Sequence, residues 1–475
     1  MEKKLPVSVL SQYPSVDETQ VSALLAKEIA ANDTKFIVLD DDPTGVQTVH
    51  DITVYTDWSV ESICQGLQED TKLFYILTNS RALTPAQTQQ LHREIAANAA
   101  KAAELTGKKF LFISRSDSTL RGHYPLETQV LRECLEAAGR PVDGEILFPY
   151  FKEGGRFTLD HTHYVQYGEE LVPAAQTEFA KDASFGYTHS SMPEYIEEKT
   201  HGAYLAKDVT CISMQELRAQ NYDAIVSKLE QVTGFGKVTV DAADDCDVKI
   251  FAVALYRAMA KGKTFLFRTA ASFVKVVGGI STIPYLQRKD MQPEDDGRGG
   301  LVIVGSHTGK TTAQLNALLT LPNVEPILFN SDLVLEGDAA MAQEVERCVA
   351  LEEAAIRAGK VAVCFTKRTL LHFENDTEES ALQRSVKISQ SVQALAGQLK
   401  VKPAFLIAKG GITSSTIGTD ALKVKRALVL GQILPGIPVW KTGAESKFPG
   451  MAYVIFPGNV GNEDSLRKAV EILTA

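Results

Sequence analysis

Three aspartates stand in a row where an apolar run ends, in KFIVLDDDPTG. Carboxylates at a strand end can take a proton from a substrate hydroxyl or help hold a magnesium ion. Asp40, Asp41 and Asp42, followed by Pro43, Thr44 and Gly45, form such a tip. Turn chemistry alone also accounts for the composition, but adjacent like charges are unfavourable without a cation or a base function. A second cluster, SRSDSTLRGHY (114–124), crowds Arg115, Asp117, Ser118, Thr119 and Arg121 behind another apolar run. An arginine fork matches a carboxylate in bidentate fashion and hydroxyls match substrate hydroxyls; a helix cap with solvated arginines would use the same residues. A third stretch, FPYFKEGGRFTLDHTHYVQYG (148–168), sets Lys152, Arg156, His161 and His163 around two glycines. It predicts a glycine-hinged loop closing on a polar substrate. The H-x-H spacing has no third ligand nearby, so it does not predict a metal site.

The C-terminal half supplies glycines instead. GSHTGKTT (305–312), AKGGITSSTIGTDAL (408–422) and IFPGNVGNEDSL (455–466) each follow an apolar run and lead into a helical pattern. Such turns offer backbone N–H groups at a helix start, where phosphates bind. The first is one residue short of a Walker A loop: the motif needs glycine at 304, which is Val304, and the glycine is Gly305. Such a loop would also need a magnesium-binding acid on a second strand of its own domain. The later C-terminal runs end in Asn330, Lys367, Gly410 or Pro457. Nucleotide binding without a Walker A fold is the better account, with Lys310 a helix-start lysine. A P-loop-like NTPase and a non-catalytic sugar-acid binder are the competing readings.

These clusters need strands to carry them. KFIVLD (35–40), KLFYILT (72–78), KFLFIS (109–114) and EILFPY (145–150) read as buried strands alternating with helical segments at 85–105 and 125–138. A second series, LVIVGS, EPILFN, KVAVCFT, AFLIAKGG, RALVLG and AYVIFPG, begins after QRKDMQPEDDGRGG (287–300), which reads as a linker. The expected fold is two α/β domains, 1–290 and 300–475, with mostly parallel sheets and a ligand cleft between them. A length of 475 residues fits more than one core. A net charge of −10 argues against a nucleic-acid partner. The N-terminus has no signal-peptide core and no run reaches the apolar length of a membrane span. Six cysteines without a CxxC pair suggest reduced thiols and a cytoplasmic protein.

Taken together, the motifs resemble the four-carbon acid sugar kinase family, formerly a family of unknown function. Its Asp-Asp-x-Thr-Gly motif is similar to Asp41, Asp42, Pro43, Thr44 and Gly45, and its Asp-Ser-Thr-Leu-Arg-Gly motif to 117–122. Gly155-Arg156-Phe157-Thr158 with His163-Tyr164-Val165, and FRTAASFV (267–274), resemble further family segments. In the second half Gly305-Ser306-His307-Thr308, Gly410-Gly411-Ile412-Thr413-Ser414, Pro435-Gly436-Ile437-Pro438 and Gly458-Asn459-Val460-Gly461 do the same. The departures are Phe456-Pro457 where many members have Lys-Ser, and His307 with Gly309-Lys310.

The resemblance implies an ATP-dependent kinase, with Mg2+, acting on the terminal hydroxyl of threonate, erythronate or a 3-oxo-tetronate. It implies sugar acid on the N-terminal domain, with Asp41 and Asp42 catalytic and Thr44, Gly45, Arg115, Asp117, Ser118, Arg121, Arg156 and His163 binding substrate. ATP is expected on the C-terminal domain, at Ser306, Thr308, Gly410, Gly411, Ile412, Thr413 and Gly458. No resident metal site is assigned, and the partners expected are small molecules, with a homo-oligomer allowed.

Overall fold

A computed structural model describes residues 2–292, 296–368, 378–458 and 460–475, with the side chains of 378, 379, 381 and 382 left out of the description. Part of the 287–300 linker stretch, and Asn459 of the last glycine turn, therefore lie outside the described residues. The chain forms two compact units: Met1–Gly45 with Asp57–Thr282, and Val46–Thr56 with Ile283–Ala475.

The first unit is built on a parallel sheet whose strands run in the order Thr210–Ile212, Gly236–Val240, Gly144–Phe148, Phe265–Thr269, Phe110–Arg115, Lys35–Asp40 and Leu73–Leu77. Nearly every residue of the inner strands is buried, which is why they read as continuous apolar runs rather than alternating ones. Helices cross between parallel neighbours. Pro85–Thr106 starts on a Thr84 capping box with Pro85 in its first turn and stops at left-handed Gly107. Phe265–Thr269 was not anticipated as a strand, because Arg268 interrupts a run of only five residues.

The 148–168 stretch departs from the expected glycine-hinged loop. Arg156–Leu159 and Thr162–Tyr167 pair antiparallel across a tight turn in which Asp160 and His161 both have positive φ. Glu170–Pro173 and Leu5–Pro6 extend this hairpin into a small separate sheet.

The second unit carries the order Ile52–Tyr55, Arg426–Leu434, Ile437–Thr442, Ala452–Phe456, Phe405–Lys409, Leu301–Val304, Val361–Thr366 and Val324–Phe329. The first three pairings are antiparallel and the rest parallel. Residues 46–56, N-terminal in sequence, thus contribute a strand to the C-terminal unit. Within the linker stretch the helix Arg288–Met291 belongs to this unit, and Leu286 and Met291 enter its apolar core. No helix among the described residues is long and apolar enough to cross a membrane, and all six cysteines are free thiols.

Candidate active site

The strands Leu73–Leu77, Lys35–Asp40, Phe110–Arg115 and Phe265–Thr269 are parallel neighbours, so their carboxyl ends lie side by side. In open α/β sheets this edge is where ligands bind. It gathers Arg81, the three aspartates, Arg115 to Asp117, and Arg268.

The three aspartates have three different environments. Asp40 is buried and sits opposite Arg115 in the strand register, with Arg115 Nη1 3.1 Å from its Oδ1. Burial pushes its carboxyl up to about 7, Arg115 opposing and Asp41 and Asp42 adding. Gly45 must be glycine here, since a Cβ would lie 2.0 Å from Asp40 Oδ1. Asp41 is held by Arg81 in bidentate fashion, at 2.6 and 3.1 Å, and accepts from Ser116 Oγ at 2.5 Å. Burial would raise its carboxyl, but Arg81, then Arg115 and Arg268, outweigh burial and hold it below the usual range. Asp42 is the open one, its side chain 24% exposed against 3% for Asp41. Its Oδ1 accepts from the Thr44 amide at 2.9 Å and hydroxyl at 2.5 Å, leaving Oδ2, among the described residues, with only a long contact of 3.5 Å to Arg81.

Arg81 was missed in the sequence because NSRALT reads as the lead-in to a helix. Arg115, expected on a substrate carboxylate, is instead the buried counter-ion of Asp40. Arg268 pairs with Glu127, Ser114 and the Arg121 carbonyl, bracing the next loop.

That loop, 117–122, is fixed through its backbone. His163 Nε2 donates to the Ser118 carbonyl at 2.8 Å, Tyr187 Oη to that of Thr119 at 2.8 Å, and Tyr195 Oη to that of Leu120 at 2.9 Å. Leu120 has φ of 68°, a conformation that a non-glycine residue keeps only when its surroundings impose it. His163 was expected to bind substrate, yet it is fully buried with both ring nitrogens used, Nδ1 facing Thr158 Oγ1 at 3.0 Å. It positions Ser118. His161 pairs with Asp241, so the two histidines face different partners. Among the described residues, no group of three or more His, Cys, Asp or Glu is arranged to hold a metal.

Two arginines face one aromatic ring. Arg121 lies 5.0 Å and Arg156 5.7 Å from the Phe179 centroid. Arg121 is engaged by Asp117, Nε to Oδ2 at 2.7 Å. Burial would raise the Asp117 carboxyl, but Arg81 and Arg121 hold it far below the usual range. Arg156 has no carboxylate within ion-pair distance among the described residues, and its Nε is buried without a hydrogen-bond partner. Beside this cluster Asp117, Arg268 and Thr269 share a small concavity with Leu120, Leu147 and Met192.

In the C-terminal unit Leu301–Val304, Phe405–Lys409 and Ala452–Phe456 are adjacent and parallel, so the turns at Gly305, Gly410 and Gly458 emerge from neighbouring strand ends. Gly305 allows the first two turns to touch: a Cβ there would lie 2.4 Å from Thr413 Oγ1. This close approach, and not a Walker A wrap, accounts for the glycine at 305. Thr308 caps the helix Gly309–Leu318 through the Thr311 amide, and Thr311 Oγ1 donates to Ser306 Oγ at 3.1 Å. Lys310 is the second residue of that helix and exposed. Gly410 has φ of 124°, Gly411 has open space around it, and Ile412 is 70% exposed.

The N-terminal unit thus presents an acid-rich strand edge, and the C-terminal unit three glycine turns on one edge. Family models for a sugar-binding N-terminal domain and a nucleotide-binding C-terminal domain match residues 36–277 and 301–466. The chain belongs to the four-carbon acid sugar kinase family. No curated protein matches it significantly in sequence. Among solved structures, a Haemophilus influenzae protein of a family of unknown function is similar at 16% identity and TM-score 0.60, over 92% of this chain and 100% of its own. A Salmonella typhimurium LT2 protein, provisionally named a tRNA synthase, is similar at 15% identity and TM-score 0.67, over 92% of this chain and 98% of its own. At these identities the likeness is one of fold.

Proposed function

We propose that the protein transfers the γ-phosphoryl group of Mg-ATP to the terminal hydroxyl of a four-carbon sugar acid, a threonate, erythronate or 3-oxo-tetronate. The observation that carries this reading is the division of labour among the aspartates: Asp41 is saturated by Arg81 and Ser116, while Asp42 keeps an open carboxylate oxygen at the strand edge. Asp42 accepts or orients the substrate hydroxyl. Asp41 holds Arg81 in place, and the pair keeps a cation beside the reacting group. Arg156, which has no carboxylate partner among the described residues, takes the substrate carboxylate, with Ser118 and Arg121 on the loop beside it and Thr44 and Gly45 shaping the acid tip.

In the C-terminal unit Ser306, Thr308, Gly410, Gly411, Thr413 and Gly458 hold the phosphates, and Ile412 covers an apolar part of the nucleotide. The residues fit a magnesium ion that arrives on the phosphates, since magnesium ordinarily uses one or two carboxylates plus substrate oxygens, and Asp42 is the open carboxylate. Magnesium supplies charge neutralisation of the phosphates. Asp42→Asn tests the assignment: turnover is expected to fall by about 10²- to 10⁴-fold with the affinity for ATP measured without magnesium unchanged. Equal loss of both would remove Asp42 from the chemistry.

A further inference from the structure

Lys409 ends the strand Phe405–Lys409 and is fully buried. Its Nζ donates to the carbonyls of Pro457 at 2.5 Å and Gly458 at 3.0 Å, and lies 4.4 Å from the centroid of the Phe456 ring. Buried ammonium groups are ordinarily paired with an anion. This one has no carboxylate within ion-pair distance among the described residues, and the charged group acting on it is a second cation, Lys310. Burial first, then Lys310, push its pKa down to about 7. Its position is the junction of two of the three glycine turns: Lys409 directly precedes Gly410 and its ammonium holds the turn at Gly458.

We propose that Lys409 is a positioning residue of the nucleotide site, tying the Gly458 turn to the Gly410 turn, and that its counter-charge is the bound phosphate. This rests on the nucleotide reading above. An anion nearby favours the charged ammonium, so binding raises the Lys409 pKa and takes up a proton wherever the free group is partly neutral. Affinity must then fall as pH rises above neutrality, approaching about tenfold per pH unit for one linked proton. His307, on the neighbouring Gly305 turn, is held below its ordinary value by burial and Arg368, and the Lys409 variants below separate its contribution from that of Lys409.

The test is calorimetric titration of the full-length protein with Mg-ATP from about pH 6.5 to 9, in two buffers of different ionisation enthalpy. Wild type is expected to lose affinity with rising pH and to take up protons on binding. Lys409→Met is expected to bind at least about tenfold more weakly at the acid end, since two carbonyls lose their donor, and to lose both the pH slope and the uptake. Lys409→Arg, which cannot deprotonate, should flatten the slope while keeping more of the affinity. Exposed Lys310→Met removes the repelling cation and should move the descent to higher pH. Wild-type binding without pH slope or proton uptake, matched by Lys409→Met, would overturn the role of Lys409 alone. No binding by wild type would overturn the nucleotide reading, and this inference with it.

Discussion

His163 offers a way to titrate the brace behind the 117–122 loop. Its Nε2 donates to a carbonyl, which can only accept, so Nδ1 of the neutral ring accepts from the Thr158 hydroxyl. Protonation would break that second bond and place a charge in a fully buried site. Burial, with Arg156 adding, accordingly lowers its pKa from 6.5 to about 4. The native ring binds its proton more weakly than the unfolded one, so its contribution to stability is fully present above pH 6.5 and is lost as pH falls toward 4. At about 1.4 kcal/mol per pH unit, the loss at pH 4.5 is about 2.5 kcal/mol. His163→Gln can still donate to the Ser118 carbonyl and accept from Thr158, but it has no proton to gain. Urea unfolding at pH 7.0 and pH 4.5 compares the two proteins. The wild type is expected to lose about 2.5 kcal/mol more than the variant on acidification, because carboxylate effects such as those of Asp41 and Asp117 are common to both. Equal acid sensitivity would show that His163 is solvated or already charged, and the brace would be refuted.

Two further substitutions address the acid tip and the carboxylate site. Arg81→Lys keeps a cation but loses the bidentate grip on Asp41; turnover is expected to fall about tenfold or more, in line with losing one charge-assisted hydrogen bond, and unaltered turnover would detach Arg81 from catalysis. Arg156→Lys is expected to raise the sugar-acid KM about tenfold or more, in line with losing one charge-assisted hydrogen bond, while the KM for Mg-ATP stays put. The same rise from Arg121→Lys alone would transfer the carboxylate to Arg121.

The parts legible in the sequence were those set by local pattern. Buried parallel strands announce themselves as apolar runs, and Lys35–Asp40, Leu73–Leu77 and Phe110–Arg115 fell where KFIVLD, KLFYILT and KFLFIS placed them. The acid tip and the glycine turns were visible because each follows such a run. What the pattern could not carry was pairing across the chain. Arg115 looks like a free fork beside hydroxyls until the register sets it against Asp40, and Arg81 and Arg268 look like ordinary surface arginines until neighbouring strands bring them to Asp41 and Glu127. Lys409 likewise reads as the polar end of a strand, and its burial depends on Phe456 and the 457–458 turn, nearly fifty residues away. Residues 46–56 follow the acid tip in sequence, but their pairing with Arg426–Leu434 assigns them to the other unit.

The central claim is phosphoryl transfer to a four-carbon sugar acid. Its most direct test is ADP release from Mg-ATP with D- and L-threonate, D- and L-erythronate and the 3-oxo-tetronates as acceptors, longer aldonates as controls, and phosphorus NMR of the product. The account predicts turnover on at least one four-carbon acid, with a phosphomonoester on its terminal carbon. ATP binding without turnover on any of them, or turnover confined to the longer aldonates, would contradict it.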